Sequence, residues 1–260
     1  MRTIVFTFDD GRRDNYIYAF PITKKYNIRG TIFVTTGYVD GTWEDAFRSF
    51  RSSEDCIQIQ ELKDLRKNGW EIGIHGDKHK TEYSDLCNCI NKMKIWGFGE
   101  KFGFSIPNSE FDVVEIKKIL TSRITKDSVM YIRYGRKINT KNFFYRVLYV
   151  LYKYLKIQIA YYLFNCKNLN TSPLNKDKIF SVVIRKEDDP KMIEEFIKTM
   201  KDNTICVFML HSIVNENSKY YDIDPWVYSS EKFEKLCAGI SDLINKNFLC
   251  NKTLGEVLGV

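Results

Sequence analysis

The sequence predicts an α/β architecture with a parallel sheet or barrel, and three observations support it. Short β-branched and aromatic runs alternate with helical stretches along the first 75 residues, in the order strand, helix, strand, helix, strand. All three histidines, His75, His79 and His211, close such a run or lie in the loop behind one. The 260 residues, 44% hydrophobic and 28% charged, suit one large globular unit with a full core.

Taken in order, Ile4, Val5 and Phe6 form a buried strand that ends on Asp9 and Asp10, with Gly11 next. Tyr16–Tyr26 reads as a helix interrupted early by Pro21, and Gly30–Thr35 as the second strand. Trp43–Phe50 and Ile59–Lys67 read as helices, the latter stopped by Asn68-Gly69. Trp70–Ile74 is the third strand and leads into His75-Gly76-Asp77-Lys78-His79. Trp96–Phe104 is glycine-rich and aromatic. Phe111–Leu120 returns to helical spacing, and Val129–Arg133 is a strand. Ile179–Ile184, Lys191–Met200 and Thr204–Leu210 follow as strand, helix and strand. Ser212–Tyr228 is a long polar and aromatic loop directly behind His211, placed to shape a pocket. A final helix starts at Ser229-Ser230 and carries Phe233, Leu236, Ile240 and Leu243 on one face; Phe248–Val260 closes the fold. No linker or repeat divides the chain, so 1–260 reads as one domain.

Phe143–Phe164 is unusual: aromatic throughout, yet interrupted by Arg146, Lys153 and Lys156. Each cation costs ~2.5–3.5 kcal/mol near a bilayer centre, which argues against a spanning helix. At 100° per residue, Leu148, Leu151, Leu155 and Ile159 form a stripe, and Tyr145, Arg146, Tyr149, Lys153 and Lys156 gather opposite. The ordinary reading is an outer helix packed on the domain. A sharper one is a helix lying on a membrane surface through 143–164.

The net charge of +7 comes without a dense basic block or a nucleic-acid motif, so no nucleic-acid partner is expected. Seven cysteines are spread widely, and Cys87-Asn88-Cys89 lacks the second pair of a zinc ribbon. The first residues already form a core strand. No signal peptide and a cytoplasmic location, with reduced thiols, are therefore expected.

Asp-Asp-Gly alone is an ordinary turn. Placing adjacent acids at a strand end nevertheless costs repulsion and desolvation unless a cation or a proton compensates. His75 and His79 would share one face of a helix, but Gly76 and the preceding strand favour a loop; either geometry brings two imidazoles to one ion. Two acids and three imidazoles at strand ends suggest one metal-centred site.

Thr7-Phe8-Asp9-Asp10-Gly11, then His75-x-x-x-His79, then Leu210-His211, in that order, resemble the polysaccharide deacetylases (NodB-homology, carbohydrate esterase family 4). The likeness covers the first ~80 residues, including Lys25–Val34, and resumes around His211; roughly 110–200 diverges, with a helical insertion at about 137–170. The resemblance implies a distorted (β/α) barrel with fewer than eight repeats. It also implies a divalent metal, zinc first, with cobalt, manganese, iron or nickel as alternatives. On it, Asp10, His75 and His79 would be metal ligands, Asp9 the general base and His211 the general acid. Pro107, Asn108, Leu210, Arg133 and Arg185 are the candidates for substrate or oxyanion contacts.

Three departures accompany the likeness. Gly76 stands where the family usually has Ser or Thr, and Ser105-Ile106-Pro107-Asn108 lacks the arginine that tethers the base. Arg133 or Arg185 could replace it from later strands. The aspartate that orients the acid histidine is not identifiable, with Asp188 and Asp189 as weak candidates. The expected function is a metal-dependent N-deacetylase of an acylated amino sugar in a glycan or a nucleotide- or lipid-linked precursor, peripheral to the inner membrane face in the lipid-linked case. The alternatives are a deformylase of a formamido sugar and a non-catalytic sugar-binding relative.

Overall fold

Strands joined through helices return to the same end of a sheet and therefore pair in parallel. In the computed structural model, which describes residues 1–42, 52–109, 113–136 and 142–260, that rule orders the first half of the chain. Strands β1 (Arg2–Phe8), β2 (Gly30–Val34), β3 (Glu71–Ile74), β4 (Phe102–Ser105) and β5 (Val129–Arg133) lie side by side, all parallel. Next come β6 (Asn170–Thr171), β7 (Val182–Val183) and β8 (Thr204–Leu210). Strand β8 returns to the other edge of β1, in register from Thr3 opposite Ile205 to Phe8 opposite Leu210. Strand β7 lies on β8, while Ile179 bridges to Arg133 and the Ser181 amide bonds the Gly135 carbonyl. The segment 176–183 thus spans β5 and β8 and closes the ring. The result is a distorted (β/α) barrel with fewer than eight repeats.

Side-chain alternation divides the core in two. Val5, Phe33, Tyr131, Ile179, Ile205 and Val207 fill the barrel, plugged at the base by Leu254. Ile4, Phe6, Phe8, Ile32 and Phe208 face outward beneath the helices. Gly103 admits the Tyr131 ring, which a Cβ there would strike. β9 (Ser212–Val214) and β10 (Val227–Ser229) form a separate parallel pair beyond β8, and β11 (Leu249–Asn251) extends the β1 edge.

Several expectations need correction. The first helical stretch begins as a π turn over Asn15–Ala19, and Pro21 sits in the first turn of the Phe20–Lys25 helix, where a missing N–H costs nothing. Tyr83–Ile95 is a helix and Phe102–Ser105 a strand that the sequence reading did not mark. Ser212–Tyr228 is not one loop: it holds β9, the Lys219–Ile223 helix and the start of β10. Trp43–Phe50 lies outside the described residues, and the helix expected over Phe111–Leu120 is described as Val113–Thr121.

Phe143–Phe164 is two helices, Phe143–Leu155 and Gln158–Asn165, separated where Lys156 adopts φ 53°. The break turns the predicted stripe outward beyond Leu151, so that Leu155 and Ile159 are 64% and 60% exposed. The buried face is Leu148, Tyr152, Ala160, Tyr161 and Phe164, with Tyr145 and Tyr149 packed against it. The tyrosines bury their rings and keep only the hydroxyl for polar contacts, which is why they do not belong to a polar face. Among the described residues, no helix is long and apolar enough to cross a membrane.

Candidate active site

The C-terminal ends of the strands bring the chemistry together. Asp9 and Asp10 leave β1 through a sharp turn, with φ 75° at Asp10 and 79° at Gly11. That turn sends the two carboxylates to different partners. The Asp9 amide donates to the Leu210 carbonyl at 2.9 Å, which ties the turn to the end of β8.

Asp9 meets Arg133, the last residue of β5, which is fully buried. Nη2 of Arg133 donates to Asp9 Oδ1 and, at 2.6 Å, to Ser105 Oγ. Burial pushes the Asp9 carboxyl upward, but the Arg133 charge first, then the neighbouring His75 and His211 rings and the Arg133 hydrogen bond, more than offset it and hold the acid below its ordinary value.

Asp10 faces the histidine loop. Its Oδ1 lies 3.5 Å from His75 Nε2 and 3.4 Å from His79 Nε2. One donor atom from each of the three residues falls within 4.8 Å of the others. His75 Nδ1 lies 2.8 Å from the Ser105 carbonyl. A carbonyl only accepts, so Nδ1 carries the proton and Nε2 keeps its lone pair for the cluster. Asp10 Oδ2 receives Arg12 Nε and Nη2, each at 2.9 Å. Burial opposes the charged Asp10, and the Arg12 charge then holds it well below the usual carboxylate range.

The loop that carries both histidines is held by the helix behind it. Asp85 accepts the amides of Asp77 at 2.8 Å, Lys78 at 2.7 Å and Lys80 at 3.3 Å. Thr36 Oγ1 donates to Asp77 Oδ1 at 2.7 Å, and Lys92 pairs with Asp77 at 2.8 Å. Gly76 has φ 84°, and a Cβ there would sit 2.5 Å from Asp85 Oδ2. The hydroxyl missing at this position is therefore replaced by the Asp85 carboxylate, which needs the glycine's space.

His211 follows β8, half-buried, its Nδ1 enclosed and without a hydrogen-bond partner among the described residues. Burial pushes the imidazole down to about 4, against the opposing pull of the Asp10 and Asp9 charges. Its ring lies 4.6 Å from Trp226, tilted by 36°, and Asn15 Nδ2 donates to its carbonyl at 2.7 Å. Neither weak candidate orients it. Asp188 accepts the Arg185 amide at 3.0 Å, and Asp189 caps the Pro190–Lys198 helix. Each has an oxygen engaged in its own turn, and neither bonds His211 among the described residues.

Of the two candidate arginines, Arg133 reaches Asp9, whereas Arg185 stacks on Trp226, 4.6 Å from the ring centroid. Pro107 is buried and Asn108 exposed at φ 55° in the turn after β4, close in sequence to Ser105. Leu210 is buried in the outer core, and its carbonyl accepts the Asp9 amide.

The sequence reading missed a buried network. Arg12 Nη1 donates to Asp224 Oδ2 and, at 2.9 Å, to Ser212 Oγ, whose own hydroxyl donates to Asp14 at 2.7 Å. Arg12 stands two residues after Asp10, a visible signal; Asp224 lies 212 residues from Arg12 and gave none. Two imidazoles and one carboxylate on a shared focus could hold a divalent cation and leave it open coordination positions.

Comparison with known proteins places the chain among familiar sequences and folds. The polysaccharide deacetylase family model matches residues 1–143. Over 75 residues the chain is 39% identical to a poly-beta-1,6-N-acetyl-D-glucosamine N-deacetylase of Staphylococcus aureus, a match that spans 28% of this chain and 23% of that protein. A family 4 carbohydrate esterase from Streptomyces lividans shares the fold at TM-score 0.50 and 11% identity, covering 96% of this chain and 91% of the other. A family 4 pseudoenzyme from Bacillus anthracis does so at TM-score 0.50 and 11% identity, over 98% and 65%.

Proposed function

As the chain belongs to the polysaccharide deacetylase family, we propose that it is a metal-dependent hydrolase removing an N-acyl group, foremost acetyl, from an amino sugar of a glycan or glycan precursor. The observation that carries this reading is the meeting of Asp10, His75 and His79 with the Arg133-held Asp9 at one end of the barrel.

The three residues fit a divalent cation, zinc first. The donor set is that of open catalytic sites, and Ser105 fixes the His75 tautomer with Nε2 toward Asp10. A bound ion would supply Lewis acidity toward the acyl oxygen and lower the pKa of water. Asp9, kept ionised by Arg133, takes a proton from the attacking water. His211 delivers a proton to the departing nitrogen as the C–N bond breaks; burial keeps the resting ring neutral, so the proton it delivers is the one Asp9 has taken from the attacking water. The products are a carboxylate and a free amino sugar.

Two measurements test this. Metal content near one equivalent in the parent should be lost in His75→Ala/His79→Ala. Asp9→Asn and His211→Ala should keep the metal and lower acid release from N-acetylated amino sugars by about 100-fold or more. Formate instead of acetate would make the enzyme a deformylase. Metal bound without acid release from any acylated amino sugar would leave a sugar-binding relative, and undiminished turnover in both variants would overturn the assigned roles.

A further inference from the structure

Beside the candidate active site lies a second pocket of about 340 Å³, lined by Arg136, Tyr145, Arg146, Tyr149, Phe164 and Arg185. Arg136 Nε and Nη2 and Arg185 Nε are buried there without a hydrogen-bond partner among the described residues. Each guanidinium is held by its flat face: Arg136 over Phe164 at 4.8 Å, Arg185 over Trp226 at 4.6 Å. The rings meet the faces, while these three buried N–H positions find no acceptor among the described residues. Burying cationic N–H groups without acceptors is costly, and an anion that accepts from both would offset it.

Nearby acids do not fill that need. Asp188 spends Oδ2 on the Arg185 amide, and its Oδ1 is buried and unpartnered, so it bonds neither guanidinium. Glu187 is held by Lys153 at 3.1 Å and by the Tyr149 hydroxyl at 2.5 Å. Arg136, Arg146 and Arg185 therefore leave the pocket positive, and burial together with the Arg185 charge disfavours the Arg136 cation. The pocket is one ring away from the chemistry, because Trp226 lies between Arg185 and His211, 4.6 Å from each.

We propose that this pocket binds a phosphate carried by the substrate, so that the N-acyl group reaches His211 and the Asp10–His75–His79 cluster while the phosphate sits against Arg136 and Arg185. The substrate class rests on the deacetylase reading; the phosphate site does not. A soluble sugar phosphate and a lipid-linked sugar share this chemistry. The pocket continues past Arg146 and Val150 into an apolar groove lined also by Phe143, Val147 and Leu151, which a lipid chain would occupy.

Inorganic phosphate titrated calorimetrically into the full chain is the direct test, with His75→Ala/His79→Ala removing any phosphate held on metal. Binding should persist in that variant and weaken at least tenfold in Arg136→Gln/Arg185→Gln, with Arg136→Lys/Arg185→Lys intermediate and melting like the parent. No binding in the parent, or binding lost with the histidines and kept without the arginines, overturns the site. In turnover, N-acetylglucosamine 1-phosphate should show a lower KM than N-acetylglucosamine, an advantage the glutamine pair removes; equal KM values overturn the substrate role. A further gain with a polyprenyl-phosphate ester in detergent assigns the lipid-linked source, and none assigns the soluble one. If no acylated sugar is hydrolysed while phosphate still binds, the deacetylase reading fails and the anion site stands.

Discussion

Two neighbouring carboxylates survive burial here because the turn between them gives each its own guanidinium. Arg133 serves Asp9, and Arg12 serves Asp10. Removing one partner from a buried pair leaves an uncompensated charge, at a cost of about 3–5 kcal/mol. Arg133→Met should lose that much in urea denaturation, and Asp9→Asn in the same chain should restore a good part of it. Full additivity of the two substitutions would show that the pair does not interact. Asp188 offers a pH test, since burial raises its carboxyl from 3.8 to about 6. A raised carboxyl leaves its contribution to stability intact below pH 3.8 and withdraws it as pH rises through about 6. The shift corresponds to about 3 kcal/mol. Asp188→Asn should therefore gain stability relative to the parent between pH 4 and pH 7, with urea midpoints as the readout. At this scale the sequence exposed the acids and histidines, whose rarity marks them. It did not show which arginine meets Asp9, because Arg133 and Arg185 differ only in which strand end carries them. That no described carboxylate meets His211 Nδ1 was equally invisible.

Elements with a clear period were legible from composition. Ile59–Lys67 and Val129–Arg133 fold with the expected bounds, since each carries a strong pattern and a stop. Phe102–Ser105 escaped because Gly103, small enough to accept the Tyr131 ring, removes the side chain that would have shown alternation. The break at Lys156 escaped because a single left-handed residue leaves no mark on a 3.6-residue period. The loop of the two histidines is the element most exposed to test. Gly76→Ala would place a methyl 2.5 Å from Asp85 Oδ2 at φ 84°. The strain should cost about 1–3 kcal/mol. Zinc affinity should fall about 10-fold or more as the loop shifts. An alanine variant with parental zinc affinity would show that Asp85 does not set the histidine geometry.

At the level of the whole molecule, the (β/α) barrel was legible from the order of motifs, and its closure was not. The ring is completed by 176–183, where only Val182 and Val183 form regular strand and backbone bonds to residues 132–135 do the rest. The site likewise draws on both halves of the chain: Asp9 to Arg12 at the end of β1, His75 and His79 after β3, Arg133 on β5, His211 and Asp224 beyond β8. Pairing of β1 with β8 joins residues about 200 positions apart, as between Thr7 and Phe208, which are separated by 201. Contacts so distant are closed late and slowly. On a ribosome that adds 5–20 residues per second, β1 would wait roughly 10–40 s for that neighbour to emerge. For the last two thirds or so of that interval the nascent chain can hold the first acids and both loop histidines but no His211. Synthesis itself thus separates the parts of the site in time, and the proposed hydrolysis could begin only once the far half of the chain has arrived.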